Sequence, residues 1–232
     1  MIHKKNIPNK DTLKSILNVS KFNFSETIPS FKHIEEEFDH MNVPFHPIRY
    51  HWPQHPSDVL ASFRIAYSTN EIFIQYKVKE KSIRALEVND ETGSPWHDSC
   101  VEFFLIPGND NLYYNIECNC IGTCLIQSGE SRDNRKRYAK EITRKIRRKS
   151  SLGTSPFEEK TGSFEWFFIM AIPVSIFSDQ NTPTLEGKTI RANFYKCGDK
   201  LSKPHWLTWN PVQTEIPSFH QPEFFGLLHF EN

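Results

Sequence analysis

Polar side chains recur at every second position along three segments whose sequence alternates with the period of a β-strand. Side chains at every second position point to the same face of a strand, so each segment presents a row of hydrogen-bonding groups. These groups are carboxylates, amides, a guanidinium and a phenol, at Asp98, Glu102, Asn115, Glu117, Asn119, Arg191, Asn193 and Tyr195. If the three strands share a sheet, the rows join into one polar surface.

Trp96 stands immediately before the first of these strands, in the stretch VNDETGSPWHDSCVEFFLIPG. An aromatic ring at the rim of a polar surface suits a sugar, because a pyranose has an apolar C–H face and a rim of hydroxyls. Carboxylates, amides and guanidinium groups satisfy such hydroxyls, and a rigid indole supplies contact area at small entropic cost. The alternative is that these polar groups form the solvated face of an antiparallel sheet.

The elements that must position these residues alternate apolar and polar side chains, which predicts strands. ASFRIAYS and EIFIQYKVKE predict a hairpin, and CVEFFLIP directs Val101, Phe103 and Leu105 to the core and Glu102 to the other face. Further strands are predicted in NLYYNIECNCIGTCLI, GSFEWFFIMAIP, KTIRANFYKCGD, PHWLTWNP and EFFGLLHFEN. Because no helical crossover separates them, the chain is predicted to be an all-β antiparallel sandwich of immunoglobulin-like or jelly-roll type.

The N-terminal part shows less regular patterning. Residues 1–30 are predicted to be an irregular leader with an isolated helical turn around DTLKSILNVS, and residues 31–232 a single sandwich domain. The segment SFKHIEEEFDHM is compatible with a helical turn or an edge segment. The first residues lack the continuous apolar run of a secretory signal, so the sequence leaves the compartment open.

Overall charge gives no reason to expect a nucleic acid or a membrane as partner. Lys+Arg and Asp+Glu number 28 each in 232 residues, so the net charge is zero. No apolar run of about 18 residues is present. The basic segment 132–150 resembles an RNA-binding stripe, but it also fits a solvated helix or an edge strand that uses Lys and Arg to prevent edge pairing.

The five cysteines are predicted to be buried free thiols in a reducing compartment, because their number is odd and they fall in strand-like runs. Cys118, Cys120 and Cys124 are close in sequence. No second Cys/His pair follows at zinc-finger spacing, so we interpret them as core residues.

Six blocks together resemble carbohydrate-binding module family 9 and the related DOMON-like β-sandwiches. In chain order over about residues 60–230 they are PWHDSCVEFFLIPG, NLYYNIECNCIGTCL, FEWFFIMAIP, IRANFYKCGD, HWLTWNP and PSFHQPEFFGLLHF. The resemblance implies a non-catalytic β-sandwich that binds the end of a glycan between two aromatic rings. It also implies association with glycoside hydrolases, since such modules are often fused to these enzymes.

By motif position, the resemblance places the two rings at Trp96 and Phe219. The family often has Trp where this chain has Phe219, so Trp206 or Trp209 is a candidate substitute. The polar contacts fall on Glu102, Asn115, Asn193 and Tyr195, with Arg191 and Trp206 as further candidates; an Arg can occur in the family where Asn115 stands. The family often holds structural calcium, for which Asn89, Asp90 and Asp98 would offer oxygen ligands. Because the sequence has no dense acidic loop, we predict no metal ligand.

Three other functions fit parts of the pattern. A glycosidase needs two carboxyl groups about 5–9.5 Å apart, whereas Asp98 and Glu102 are separated by about 13 Å of strand. Glu102 and Glu117 would be close only if their strands pair in the right register, and a pair inside a closed pocket would favour catalysis. A related haem-binding sandwich needs an axial Met/His pair, but Met170 lies in an apolar strand. The third alternative is a peptide bound on the same aromatic surface.

Overall fold

The computed structural model of the chain describes residues 14–108, 111–180 and 184–232, and strands dominate it. The strands are β1 Ile16–Lys21, β2 His46–Ile48, β3 Leu60–Tyr67, β4 Glu71–Ala85, β5 Cys100–Ile106, β6 Tyr113–Asn119, β7 Cys124–Ser131, β8 Asn134–Arg137, β9 Arg147–Ser150, β10 Phe157–Pro173, β11 Thr189–Cys197, β12 Trp206–Thr208 and β13 Gly226–Phe230. Helices are α1 Phe31–His40 and α2 Lys140–Thr143, with 3-10 segments at Pro95–His97, Val174–Gln180 and Pro222–Phe224. Within the described ranges, no helix is long and apolar enough to cross a membrane.

The strands form two sheets that share β1. The first sheet has the order β8-β7-β6-β5-β11-β13-β1, with β12 also paired to β11, and the second has the order β1-β3-β4-β10-β9, with β2 also paired to β3. β1 runs parallel to both β13 and β3, whereas the other pairings described are antiparallel. This arrangement confirms the predicted β-sandwich.

The main core lies between the two sheets and contains the apolar faces that the alternation predicts. Phe63 of β3 stacks on Phe194 of β11, with ring centroids 3.5 Å apart, and Val101, Phe103 and Leu105 are fully buried. Tyr76 of β4 donates a hydrogen bond across the sandwich to the backbone oxygen of Glu102, at 2.9 Å. Because the second sheet covers this face of β5 and β11, the side chain of Glu102 points to the opposite, outer face of the first sheet.

The prediction of helical turns in the N-terminal leader is wrong for the part that the structure describes. Residues 16–21 form β1, which joins the two sheets, and its side chains Leu17 and Val19 belong to the core. Residues 1–13 lie outside the described ranges. The regular helix α1 follows and begins at the N-cap Ser30, whose hydroxyl accepts a hydrogen bond from His33 N. It buries Ile34 and Phe38 on the outer face of the second sheet.

The basic segment supplies the outermost strand of each sheet. β8 ends the first sheet and β9 ends the second, so Lys and Arg line both edges. Within this segment Arg147 pairs with Glu71 and Arg148 pairs with Asp90. These placements confirm the edge-strand interpretation, in which charged side chains discourage pairing with another chain.

All five cysteines are buried free thiols, as predicted. A buried charged cluster lies near them at the end of β11. Lys196 Nζ is 3.0 Å from Glu80 Oε2 and donates a 2.7 Å hydrogen bond to Nε2 of His205, and Trp166 donates from its indole to Glu80 Oε1 at 2.8 Å. Burial and the nearby Lys196 hold the pKa of His205 well below its ordinary value, so its imidazole is a neutral acceptor. This cluster anchors residues 198–205, which lead from β11 to β12.

Candidate functional site

The outer face of the first sheet carries a cavity of about 150 Å³, which we call the aromatic cavity. Three aromatic side chains border it, and three buried groups form its floor. The aromatic residues are Trp96, Trp206 and Phe219, and the floor residues are Glu102, Glu117 and Cys197. Four of the predicted site residues therefore meet here: Trp96, Glu102, Trp206 and Phe219.

Trp96 and Trp206 are both partly buried and are tied together by Asp199. The indole N–H of Trp206 donates to Asp199 Oδ1 at 2.8 Å, and the backbone N–H of Asp199 donates to the carbonyl of Trp96 at 3.0 Å. The Trp206 indole and the Trp96 backbone are therefore joined through Asp199 beside the cavity. The sequence reasoning missed Asp199, because its role depends on how residues 198–205 fold back.

Phe219 is more deeply buried than the two tryptophans, with 7% of its surface exposed. Its ring stacks on Tyr195, with centroids 4.2 Å apart and planes inclined by 15°, and the Tyr195 hydroxyl donates to the Phe219 carbonyl at 3.0 Å. One face of the phenyl ring is thus covered by protein. Tyr195 lies behind Phe219 and holds the wall of the cavity rather than lining it.

Glu102 and Glu117 are directly opposite each other on β5 and β6. Hydrogen-bonded and non-hydrogen-bonded pairs alternate along an antiparallel ladder. Ser99 and Cys120, three residue pairs before Glu102 and Glu117, form a hydrogen-bonded pair, because Cys120 N donates to Ser99 O. Glu102 and Glu117 therefore form a non-hydrogen-bonded pair, for which the Cα atoms lie about 4.5 Å apart and side chains approach closely. This is the neighbouring carboxyl pair whose existence the sequence left open.

Burial raises the pKa of both floor glutamates. For Glu102 the pKa lies well above its ordinary value because of burial and then the facing Glu117, although the Cys197 thiol donates to Oε1 at 3.0 Å. For Glu117 burial raises the pKa to about 7, opposed by the amide of Asn115, which donates to Oε1 at 2.8 Å, and by Arg135. At neutral pH the pair holds a proton, so it can donate as well as accept hydrogen bonds.

We expect Glu117→Gln to stabilise the protein at pH 8 by at least about 1 kcal/mol, since a pKa shift of one unit corresponds to about 1.4 kcal/mol. A carboxyl with a raised pKa keeps a proton in the native state that the unfolded chain has lost. The stabilisation that the protonated Glu117 carboxyl contributes is therefore fully present below pH 4.5 and is lost as the pH rises through about 7. Urea unfolding at pH 5 and pH 8 measures this, with the exposed Glu165→Gln as control. Equal pH dependence in wild type and Glu117→Gln would contradict the assignment.

Cationic and imidazole groups occupy the side of the cavity next to β8. Nη1 of Arg135 lies 3.2 Å from Nε2 of His220, and the Tyr113 hydroxyl hydrogen-bonds Nδ1 of the same ring at 3.0 Å. Burial, Arg135 and Arg132 lower the pKa of His220 to about 3, so the ring is neutral. The sequence placed Arg132 and Arg135 only in a basic segment. Their contribution to the cavity depends on the β7–β8 turn, which no local pattern reveals.

Besides Tyr195, three further predicted site residues do not line the cavity. Asn115 is buried beneath it and donates from its amide to Glu117 and Gln127, so it positions the floor. Asn193 exchanges hydrogen bonds with the backbone of Asn210. Arg191 lies six residues before Cys197, or about 20 Å along the strand, and faces Asn111. The period-two pattern identified the sheet face that carries the cavity, but the cavity occupies only one end of that face.

Oxygens of Asn89, Asp90 and Asp98, the residues considered for calcium, accept hydrogen bonds or pair with a cation. Asp98 Oδ2 accepts hydrogen bonds from Leu86 N and Glu87 N. Asp90 pairs with Arg148, and Asn89 Oδ1 accepts from Glu91 N and Thr92 N. Engagement by N–H donors disfavours the oxygen coordination that calcium requires, and the absence of a metal ligand at these three residues stays a prediction.

Comparison with known proteins gives one family and several similar structures. Residues 32–230 match the model of carbohydrate-binding family 9. The chain is 42% identical to a protein of Bacteroides uniformis ATCC 8492 whose proposed role is carbohydrate binding; the match covers 94% of this chain and 100% of that one, with a TM-score of 0.89. Among proteins with curated descriptions, none matches the chain.

Two structures of a family 9 carbohydrate-binding module from Caldicellulosiruptor kristjanssonii share the fold at 13% identity. The complex with glucose has a TM-score of 0.56 and covers 93% of this chain and 95% of that one. The complex with cellotriose has a TM-score of 0.57 and covers 94% of each chain. At this identity the likeness shows a common architecture.

Proposed function

The chain belongs to carbohydrate-binding family 9 and binds carbohydrate, and on that premise we propose that the aromatic cavity binds the end of a glycan. The observation that carries this proposal is the pair of partly buried tryptophans, Trp96 and Trp206, that line the cavity beside a buried carboxyl pair and whose segments are joined through Asp199. The indoles offer apolar faces for the C–H groups of a sugar ring, and Phe219 closes the wall behind them.

The size of the aromatic cavity supports a glycan end rather than the middle of a long chain. A volume of about 150 Å³ corresponds to about five waters at roughly 30 Å³ each, which is space for one monosaccharide rather than several. An extended oligosaccharide would have to leave the cavity after its terminal unit. We therefore propose a terminal residue in the cavity and the remaining units outside it.

The polar groups around the cavity match the hydroxyls of a sugar, each of which both donates and accepts. Glu102 and Glu117 accept hydrogen bonds and, when protonated, also donate one. Arg132 and Arg135 supply guanidinium donors from the β8 side, and Asp199 adds an acceptor at the rim. Charge-assisted hydrogen bonds are the stronger ones, so we propose that these groups set the orientation of the sugar.

We expect Glu102→Gln to weaken glycan binding about tenfold or more. Glutamine lacks the O–H donor of the protonated Glu102 carboxyl, and a buried polar group left without its partner costs roughly 1–3 kcal/mol; 1.4 kcal/mol corresponds to a factor of ten in affinity. A glycan array identifies the tightest ligand, and isothermal titration calorimetry then measures its affinity. Glu165→Gln, at an exposed glutamate of β10, is the matched control. Glu165→Gln should bind like wild type, and unchanged affinity in a folded Glu102→Gln variant would contradict the proposed site.

The neighbouring carboxyl pair gives glycoside hydrolysis a specific observation in its favour. The two groups share one cavity, and a glycosidase uses two carboxyls that flank the scissile bond. We propose binding without hydrolysis, so incubation of the wild-type protein with the bound glycan should release no shorter sugar. Release that disappears in both Glu102→Gln and Glu117→Gln would establish the catalytic alternative.

We also propose a glycoside hydrolase as the partner of this chain. A module that binds the end of a glycan raises the effective concentration of that glycan near an enzyme to which the module is linked or bound. Support for this partner comes from related modules, which are often fused to such enzymes. Co-purification with a hydrolase active on the same glycan is the expected result.

A further inference from the structure

Two thiols and one carboxyl group converge at the floor of the aromatic cavity and directly beneath it. Cys100 and Cys197 are direct partners in the β5–β11 register, and Glu102 follows Cys100 by two residues, so all three side chains share the outer face of the first sheet. Their ligand atoms all lie within 4.8 Å of one another, and Cys197 Sγ is 3.0 Å from Glu102 Oε1. We propose that Cys100, Glu102 and Cys197 form a zinc site.

The spacing of these atoms suits a tetrahedral ion. Zinc lies about 2.3 Å from a thiolate and about 2.0–2.2 Å from a carboxylate oxygen, so neighbouring ligand atoms of a tetrahedron are about 3.5–3.8 Å apart. Three atoms within 4.8 Å of one another reach that geometry through small side-chain rotations. Two ligands from one strand and one from its neighbour make the framework rigid, because the ladder fixes their backbone positions.

The ligand types select zinc over the hard cations. Thiolates bind zinc and other soft or borderline ions, whereas calcium and magnesium take oxygen ligands. Cys197 and Glu102 line the aromatic cavity while Cys100 is buried behind them. The fourth coordination position of the zinc ion therefore faces the cavity, as in sites that keep one position for water or a ligand.

The chain contains a matched set of thiols for control experiments. Cys118 and Cys124 also face each other across neighbouring strands, but they point into the core between the two sheets. They share the burial and the cross-strand pairing of Cys100 and Cys197, and they lie away from the aromatic cavity. Zinc binding at the proposed site should therefore depend on one cysteine pair and not on the other.

The test uses the full-length chain without an affinity tag, reduced and freed of metal. Zinc is titrated by calorimetry, and cobalt(II) is titrated as a spectroscopic probe whose thiolate charge-transfer absorption reports sulfur ligands. We expect one ion per chain in wild type and Cys124→Ser. Cys100→Ser and Cys197→Ser each keep one thiolate, so each should clearly weaken the cobalt–thiolate band and should weaken zinc binding by more than the roughly 10–100-fold that loss of a second-shell partner costs.

Several results would overturn the proposal. They are the absence of saturable zinc binding in wild type, an unchanged cobalt–thiolate band in Cys197→Ser, and a Cys100–Cys197 disulfide in protein isolated with thiols trapped. Circular dichroism confirms folding of each variant, and Cys197→Ala and Glu102→Gln provide further variants if a serine is not tolerated. Because the readout needs no sugar, failure of the zinc site leaves the proposed glycan site standing, and the reverse holds as well.

Discussion

Trp96→Ala should lower glycan affinity at least about thirtyfold, because truncation of a central tryptophan in a binding site commonly costs 2 kcal/mol or more. Trp96 is partly buried at the wall of the aromatic cavity and presents the apolar surface on which a sugar ring would stack. Hydrogen bonds from Glu102 or the arginines cannot replace that contact, since they act on hydroxyls at the rim of the ring. Calorimetry with the tightest glycan measures the loss.

The fold should survive the Trp96→Ala change. The contact between this segment and residues 198–205 uses the carbonyl of Trp96, which accepts from Asp199 N, and alanine keeps that carbonyl. Tyr50→Ala is the matched control, because Tyr50 is an exposed aromatic residue outside the aromatic cavity. Wild-type affinity in a folded Trp96→Ala variant would refute the site assignment.

Lys196→Met is expected to lower the free energy of unfolding by about 3–5 kcal/mol, the usual cost of removing one partner of a buried ion pair. Lys196 and Glu80 are both almost completely buried, and their charged atoms are 3.0 Å apart. Methionine would leave the Glu80 carboxylate without its counter-charge, with only the Trp166 indole as donor. Because domains are stable by only about 5–15 kcal/mol, this loss places the variant near the unfolding threshold.

Urea unfolding measures the change, and two further variants separate its causes. Lys77→Met removes an exposed ion pair with Glu165 and should cost about 0–1 kcal/mol. Adding Glu80→Gln to Lys196→Met removes the unpaired charge and should recover part of the loss. A Lys196→Met cost no larger than that of Lys77→Met would show that the cluster does not hold the end of β11.

The fold followed from the sequence wherever the alternation was regular. Val101, Phe103 and Leu105 face the core and Glu102 faces outward, because one buried sheet face imposes a period of two. β1 was misassigned because ILNVSK carries little apolar alternation, and its stability comes from pairing with β13 and β3, which are distant in sequence. Local propensity gives no information on such long-range pairing.

The candidate site was predicted only in part, for a related reason. The family motif located Trp96 and Glu102, but Arg191 and Asn193 lie along the same face and away from the cavity. Glu102 and Glu117 lie opposite each other because of the β5–β6 register. Trp206 and Trp96 lie beside the same cavity because Asp199 joins their segments. Registers and loop closures are tertiary features, so residue spacing alone could not supply them.

The most direct test of the sugar site follows the five indole N–H signals in a ¹H–¹⁵N NMR titration with the tightest glycan. The signals are assigned by single Trp→Phe variants. We expect the Trp96 and Trp206 signals to shift with one common dissociation constant, while those of Trp166 and Trp209, which pack with the core between the sheets, stay in place. Saturable glycan binding that leaves the Trp96 and Trp206 signals unmoved would contradict the proposed site.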